Sequence, residues 1–127
     1  MPLMELTANS QSLVLIVEDE ELIRISAVDI VEQTGRRIVE AVDADDAIRV
    51  LASRGDIGFL FTDVEMPGSM DGYKLARTVH ARWPDIAIVI TSGRKEPAVG
   101  DVPNGGRFIA KPYEAFMVAR TLSELAA

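Results

Sequence analysis

The stretch IGFLFTD, residues 57–63, is an almost unbroken apolar run that ends in a carboxylate. A strand covered on both faces has this composition, as in a parallel sheet, whereas a half-exposed strand alternates apolar and polar residues. Further apolar runs occur on either side of it, at residues 13–17, 37–41, 86–90 and 107–110. The sequence therefore predicts five strands.

Helical patterns separate these runs. Apolar residues recur at spacings of three and four within residues 23–31, 44–51, 75–79 and 115–125, and this spacing places them on one face of a helix. We expect Ile23, Ile30 and Leu122 to belong to the core. Strands that alternate with helices predict an α/β domain, with a doubly wound five-stranded parallel sheet flanked by helices.

The segment 93–106 breaks the helical pattern. It contains Pro97 and Pro103 together with four glycines. Proline removes a helical hydrogen bond and glycine costs backbone entropy, so a long regular helix is disfavoured. We predict that the fourth helix is short or irregular.

Length and composition limit both the domain count and the chemistry. The 127 residues predict a flexible tail over residues 1–12 and one domain over residues 13–127. The chain has no cysteine and one histidine, which excludes disulfides and metal sites built from several cysteines or histidines.

The net charge of the chain limits the kinds of partner that it can bind. The net charge of −7 would repel nucleic acid and anionic membrane surfaces. The apolar runs are also far shorter than the roughly 20 residues that a membrane-spanning helix needs. We expect a cytoplasmic protein that contacts neither nucleic acid nor membrane directly.

Charged and hydroxyl-bearing residues follow the predicted strands. Glu18 and Asp19 follow the first run, Asp63 the third, Thr91 the fourth and Lys111 the fifth. In an open α/β sheet, ligands bind at the carboxyl ends of the strands, so these side chains should converge. Two carboxylates about 4 Å apart repel by about 4 kcal/mol at an effective dielectric near 20. A hard divalent cation removes that repulsion, and oxygen ligands favour Mg²⁺.

The same set suits a nucleophilic carboxylate. A carboxylate can form an aspartyl-phosphate, and this reaction needs positive charge against the phosphoryl oxygens and donors that hold them. Mg²⁺ on the acids, Lys111 as a point charge and Thr91 as a hydroxyl donor would supply these parts.

Five short motifs at these positions resemble the signature blocks of response-regulator receiver domains, the CheY-like proteins of two-component signalling. The motifs are LIVEDE at residues 15–20, TDVEMPG at 62–68, MDG at 70–72, ITSG at 90–93 and AKPY at 110–113. The resemblance extends over about residues 12–126. It implies a CheY-like arrangement of the predicted sheet and helices.

The resemblance implies an acceptor and a metal site. Asp63 would accept a phosphoryl group from a phosphohistidine. Asp19 would bind Mg²⁺ directly, and Glu18 would bind it directly or through water. The backbone carbonyl of Glu65 would be the third protein ligand.

The resemblance also implies a switch. Lys111, joined to Pro112 by a cis peptide, would hold a phosphoryl oxygen. Thr91 would move to the phosphoryl group, and Phe108 would follow it inward.

For the whole chain, the resemblance implies a stand-alone response regulator. It would receive its phosphoryl group from a sensor histidine kinase or a histidine phosphotransfer protein and act on a downstream target protein, as a monomer or weak homodimer. It would not be an enzyme in the usual sense, because it would catalyse only its own phosphorylation and dephosphorylation.

Two features depart from the commonest receiver pattern. Ser69 adds one residue to the loop between the predicted third strand and the next helix, which should leave the acid positions unaffected. The segment 93–106 predicts a reshaped output face.

Other functions remain open at this level. A Mg²⁺-dependent aspartyl-phosphate phosphohydrolase would use Glu65, two residues after Asp63, as general acid or base. A flavodoxin-like electron carrier shares the architecture, but the acidic loop after the first strand would repel a flavin phosphate. A receiver-like protein that works unphosphorylated would not need the complete set of acids, threonine and lysine. In a receiver, we predict that the Glu65 carboxylate affects how water approaches the phosphoryl group.

Overall fold

Strands and helices alternate along the chain as predicted. The computed structural model describes residues 13–94 and 96–126, and the predicted tail over residues 1–12 lies outside them. The elements in this part are β1 Leu13–Val17, α1 Glu21–Glu32, β2 Ile38–Ala41, α2 Ala44–Ser53, β3 Ile57–Asp63, α3 Gly72–Arg82, β4 Ala87–Ser92, β5 Arg107–Ala110 and α4 Ala115–Ala126. The predicted α/β class is confirmed.

The five strands form one parallel sheet in the order β2-β1-β3-β4-β5. The chain moves from β1 to one side for β2 and returns to the other side for β3. The strand order therefore reverses between β1 and β3, and a crevice opens there at the carboxyl ends of the strands. This crevice lies beside the acidic residues that follow β1 and beside Asp63, the last residue of β3.

Two apolar layers bury the sheet from both faces. Leu15 and Leu60 pack on the face covered by α2 and α3, whereas Ile16 and Phe61 pack on the face covered by α1 and α4. Successive residues of a strand point to opposite faces, so a sheet with two covered faces requires the nearly continuous apolar runs seen in the sequence. No helix in the described ranges is long and apolar enough to span a membrane.

The core prediction was wrong for Ile23, which is 37% exposed. Ile23 lies in the first turn of α1 and lines the crevice at the carboxyl edge of the sheet, so the strands do not extend far enough to cover it. Ala27 and Val31, one and two turns further on, are buried.

Two aspartates fix the starts of helices near the site. The Asp43 side chain accepts a hydrogen bond from the Asp46 amide at 2.9 Å, and the Asp71 side chain accepts one from the Lys74 amide at 2.9 Å. Each satisfies a backbone donor that the first turn of a helix leaves unpaired. Asp71 thereby fixes the start of α3, which lies next to the end of β3.

The connection from β4 to β5 forms turns where a short or irregular helix was expected. No helix is assigned to residues 93–94 or 96–106. Gly100 and Gly105 adopt positive φ angles of 87° and 82°, which favour glycine and are incompatible with a right-handed helix. These glycines, together with Pro97 and Pro103, explain why the described residues contain no helix between β4 and β5. The described residues contain four helices.

Candidate functional site

An acidic cleft opens at the switch point of the sheet. Its volume is about 420 Å³, and it is lined by Glu18, Asp19, Glu20, Ile23, Asp63, Glu65, Gly93, Arg94 and Lys111. Oxygen atoms of Glu18, Asp19 and Asp63 lie within 4.8 Å of one another. The structure therefore brings together the three side-chain carboxylates that the sequence predicted as metal ligands.

Lys111 supplies the counter-charge to two of these acids. Its Nζ lies 2.9 Å from Asp63 Oδ1 and 3.4 Å from Glu18 Oε1. The contact with Asp63 is an ion pair, and Oδ1 of this buried residue has no well-aligned hydrogen bond among the described residues. That oxygen therefore keeps lone pairs for a further ligand. The Lys111–Pro112 peptide is cis, as the resemblance implied.

Burial and charge act in opposite directions on these groups. Burial raises the pKa of the Glu18 carboxyl and that of the Asp63 carboxyl, although Lys111 partly offsets this. Burial by itself would lower the pKa of Lys111, but Asp63 and Glu18 outweigh it and raise that pKa. The cleft thus holds carboxylates whose charged forms are poorly solvated, which favours the binding of a cation.

Backbone and side-chain contacts hold Glu18 in place. The Glu20 amide donates to Glu18 Oε2 at 3.1 Å. Arg24 Nη1 donates to the Glu18 carbonyl oxygen at 2.9 Å, and Arg24 Nε donates to Glu40 Oε1 at 2.9 Å. Arg24 thus links the loop after β1 to β2. The sequence did not predict this role for Arg24, although a basic residue one turn after an acidic cluster is a signal for it.

Close packing positions the backbone of Asp63. Thr62 Oγ1 donates to the Asp63 carbonyl oxygen at 2.9 Å, and the Gly72 amide donates to the Val64 carbonyl oxygen at 2.9 Å. Gly72, the first residue of α3, approaches so closely that a Cβ there would overlap the Asp63 carbonyl group. The start of α3 therefore supports the acid at the end of β3.

We predict that Gly72→Ala destabilises the domain by about 2 kcal/mol, because the obstructing atoms are backbone and cannot rotate away. Gly55→Ala is the matched control, since a Cβ there meets no atom within 4 Å. Urea unfolding of the two variants measures the difference. Equal stability of the two variants would show that α3 moves away without cost.

The predicted switch residues lie on neighbouring strands. Thr91 pairs with Asp63 in the β3–β4 register and is 2% exposed, and its Oγ1 has no hydrogen-bond partner in the described structure. A buried hydroxyl without a partner is costly, so this one is suited to a ligand at the end of β3. Phe108 is half-buried, and it pairs with Ile90 in the register of β4 and β5.

The Glu65 side chain lines the cleft but does not belong to the cluster of three acids. Ser92 Oγ donates a hydrogen bond to Glu65 Oε2 at 2.7 Å, and the Arg94 amide donates to Ser92 Oγ at 3.1 Å. Ser92 belongs to the ITSG motif at residues 90–93, but the sequence did not predict this contact. Its signal was a second hydroxyl at the edge where the acids converge.

The donor set fits a hard divalent cation. All three clustered side chains offer carboxylate oxygens, and Asp63 Oδ1 is buried without a well-aligned hydrogen bond among the described residues. Mg²⁺ and Ca²⁺ prefer such oxygen ligands. Fold and cleft together thus define a doubly wound domain with a candidate cation site at its switch point.

Comparison with known families identifies the domain. The family model described as response regulator receiver domain matches residues 14–116, and the chain belongs to this family. Receiver domains act in two-component signalling and bind Mg²⁺ at an acidic pocket. Family membership favours a receiver over the flavodoxin-like carrier and the phosphohydrolase that the sequence left open.

Individual relatives agree with this assignment. The sensor kinase CckA of Brucella abortus is 31% identical over 116 residues, which cover 88% of this chain and 12% of that protein. The response regulator FleR of Pseudomonas aeruginosa is 32% identical over 105 residues, or 80% of this chain and 22% of that protein. The chain thus spans less than a quarter of the length of either relative.

Solved structures show the same fold. The receiver domain of a hybrid histidine kinase CckA superposes with a TM-score of 0.76 at 26% identity and covers 91% of this chain and 99% of that one. A receiver domain protein from Clostridium thermocellum gives a TM-score of 0.83 at 20% identity, with 91% of this chain and 94% of that one covered.

Proposed function

We propose that Asp63 accepts a phosphoryl group from a phosphohistidine of a sensor histidine kinase or a histidine phosphotransfer protein. The observation that carries this proposal is the position of the Asp63 carboxylate. It lies at the switch point of the sheet, within 2.9 Å of Lys111 and beside the carboxylates of Glu18 and Asp19. An acid in this setting has a cation next to it and room for a second one.

The proposed transfer is a single displacement at phosphorus. A carboxylate oxygen of Asp63 attacks the phosphorus atom, and the bond from phosphorus to the donor's imidazole nitrogen breaks with its electron pair left on that nitrogen. Dephosphorylation is a second displacement, in which the oxygen of a water molecule attacks the phosphorus atom. The Asp63 carboxylate then leaves, and inorganic phosphate and a proton are released. Lys111 neutralises charge on a phosphoryl oxygen in both steps.

Glu18, Asp19 and Asp63 would hold Mg²⁺, with the backbone carbonyl of Glu65 as a further ligand. Bound Mg²⁺ supplies positive charge that offsets the repulsion between the acids and the incoming phosphoryl oxygens. The clustering of the three side-chain ligands within 4.8 Å supports this assignment.

The conformational response would begin at Thr91. Its buried hydroxyl lies beside Asp63 in the register and has no hydrogen-bond partner within the described ranges, so a phosphoryl oxygen would be a favourable acceptor for it. Phe108 would then take up space that Thr91 vacates. This change would shift a pre-existing equilibrium between two conformers and alter the surface that a downstream protein contacts.

Several broader expectations stay predictions. The stand-alone arrangement, the monomer or weak homodimer and the cytoplasmic location are among them, because the curated relatives carry this domain within longer chains. We further propose that output passes through a protein partner, because the net charge of −7 disfavours direct contact with nucleic acid.

The proposal is tested by incubating the purified chain with acetyl phosphate, with Mg²⁺ or with a chelator, and by following intact mass. We expect one phosphoryl group per chain with Mg²⁺ and none with the chelator. Turnover of the donor without an adduct would support a phosphohydrolase instead, and an adduct of equal yield in chelator would remove the metal from the proposal.

Glu65→Ala is predicted to slow dephosphorylation about tenfold, which is less than the roughly 10²–10⁴-fold that a fully engaged general base contributes. The measurement is the decay of the phosphorylated chain after the donor is removed. Glu20→Ala, at another acidic residue that lines the cleft, is the control for a general loss of negative charge. An equal change in both variants would attribute the effect to charge alone.

A further inference from the structure

We propose that Ser92 is a positioning residue that holds the Glu65 carboxylate in place at the cleft and thereby sets the lifetime of the phosphoryl group on Asp63. This inference rests on the proposed function of Asp63. It assigns a role to a residue that neither the metal cluster nor the transfer step uses. The hydrogen bond from Ser92 Oγ to Glu65 Oε2, 2.7 Å long, is the observation that leads to it.

The Ser92 hydroxyl is the donor in this hydrogen bond, because an ionised carboxylate can only accept. A serine hydroxyl has one proton to donate and two lone pairs that accept. The Arg94 amide donates to Ser92 Oγ at 3.1 Å, which uses one of these lone pairs and is compatible with donation of the hydroxyl proton to Glu65. A neutral hydroxyl that donates to a carboxylate forms a stronger bond than one between two neutral groups.

Ser92 is itself held rigidly. It is 3% exposed at the last position of β4, and its carbonyl oxygen accepts a hydrogen bond from the Lys111 amide at 2.9 Å. Gly93 packs against the Lys111 side chain, since a Cβ at Gly93 would lie 3.6 Å from Lys111 Cβ. The residue that positions Glu65 is therefore fixed to the strand end that also positions Lys111.

Glu65 is placed to act on a phosphoryl group at Asp63. It lines the same cleft, and its charge raises the pKa of the Asp63 carboxyl, after the larger effect of burial. A carboxylate can accept a second hydrogen bond while Ser92 occupies one of its oxygens. A water molecule that attacks phosphorus must lose a proton, and a fixed carboxylate at the cleft can accept it.

Without the Ser92 hydroxyl, the Glu65 side chain regains rotamer freedom and spends less time in this orientation. Ser92→Ala is therefore expected to slow dephosphorylation about fivefold with the yield of phosphorylated chain kept. Ser92→Thr retains a hydroxyl and should recover most of the rate. Ser53→Ala, at a serine of α2 whose hydroxyl donates to Val50, is the control and should decay like the parent chain.

A double variant separates positioning from a structural effect. In a Glu65→Ala background, Ser92→Ala should cause no further change, because no carboxylate remains to be held. A second readout needs no phosphoryl group: the ¹³C shift of the Glu65 side-chain carboxyl in the free protein should move in Ser92→Ala and return in Ser92→Thr.

The outcomes distinguish this inference from the function on which it depends. If the parent chain takes up no phosphoryl group, both are overturned. If it is phosphorylated on Asp63 and Ser92→Ala decays at the parent rate, only the role of Ser92 is wrong. An equal slowing by Ser92→Ala with and without Glu65 would likewise overturn it, since the effect would not pass through that carboxylate.

Discussion

Asp63→Asn is expected to abolish uptake of a phosphoryl group from acetyl phosphate, whereas the parent chain gains one group per molecule. The amide is nearly the same size as the carboxylate, so the packing at the end of β3 is preserved. It carries no negative charge, is a poor nucleophile and is a weaker ligand for a divalent cation. Intact mass after incubation with Mg²⁺ and the donor measures the result.

Asp85→Asn provides a matched control. Asp85 is an exposed aspartate between α3 and β4, and it lines a separate pocket near the amino ends of the strands. The Asp85→Asn variant should be phosphorylated to the same yield as the parent chain. A cooperative thermal unfolding transition of Asp63→Asn would show that this variant is folded. An adduct on folded Asp63→Asn at the parent yield would place the acceptor on another residue.

The strand ends explain why so much of this site is predictable from sequence. The strands of a parallel sheet that is buried on both faces appear in the sequence as continuous apolar runs. The residues that follow these runs lie together at the carboxyl edge of the sheet. Glu18, Asp63 and Lys111 follow three such runs, and the structure places Lys111 within 3.4 Å of both acids. The pattern required no knowledge of side-chain orientation.

What the sequence could not supply depends on orientation and on competition between neighbours. The bond from Ser92 to Glu65 depends on two side chains 27 positions apart, and neither has a distinctive spacing. Ile23 fits the apolar face of α1, yet the strands end before they can cover it. In the segment 93–106, prolines and glycines indicate where a helix weakens but not whether turns replace it.

Lys111→Met is expected to destabilise the domain by about 2 kcal/mol at about pH 7 in Mg²⁺-free buffer, because Glu18 and Asp63 lose their shared counter-charge. Removing one partner of a fully buried ion pair costs about 3–5 kcal/mol. The smaller figure applies here because the Lys111 side chain is 22% exposed. Methionine keeps much of the length of the side chain and removes its charge.

The loss should depend on pH, with a sign that follows from the pKa shifts. The folded-state pKa values of Glu18 and Asp63 lie above their ordinary values, and Lys111 lowers both. In the variant these values rise further, so the folded state retains protons that the unfolded chain has released. Stability then falls as pH rises from the ordinary carboxyl pKa through the raised one. The difference from the parent should therefore be small at about pH 4, near the ordinary carboxyl pKa, and larger at about pH 7.

Mg²⁺ provides the decisive comparison, since a cation bound by the same carboxylates replaces the missing charge. Ligand binding to the folded state stabilises it, and we expect saturating Mg²⁺ to narrow the gap between Lys111→Met and the parent. Lys74→Met, at an exposed lysine of α3, controls for the loss of one positive charge. Urea unfolding followed by the fluorescence of Trp83 measures all three chains. A loss that is the same at both pH values and insensitive to Mg²⁺ would mean that Lys111 contributes packing rather than charge, and the electrostatic account of the cleft would then be wrong.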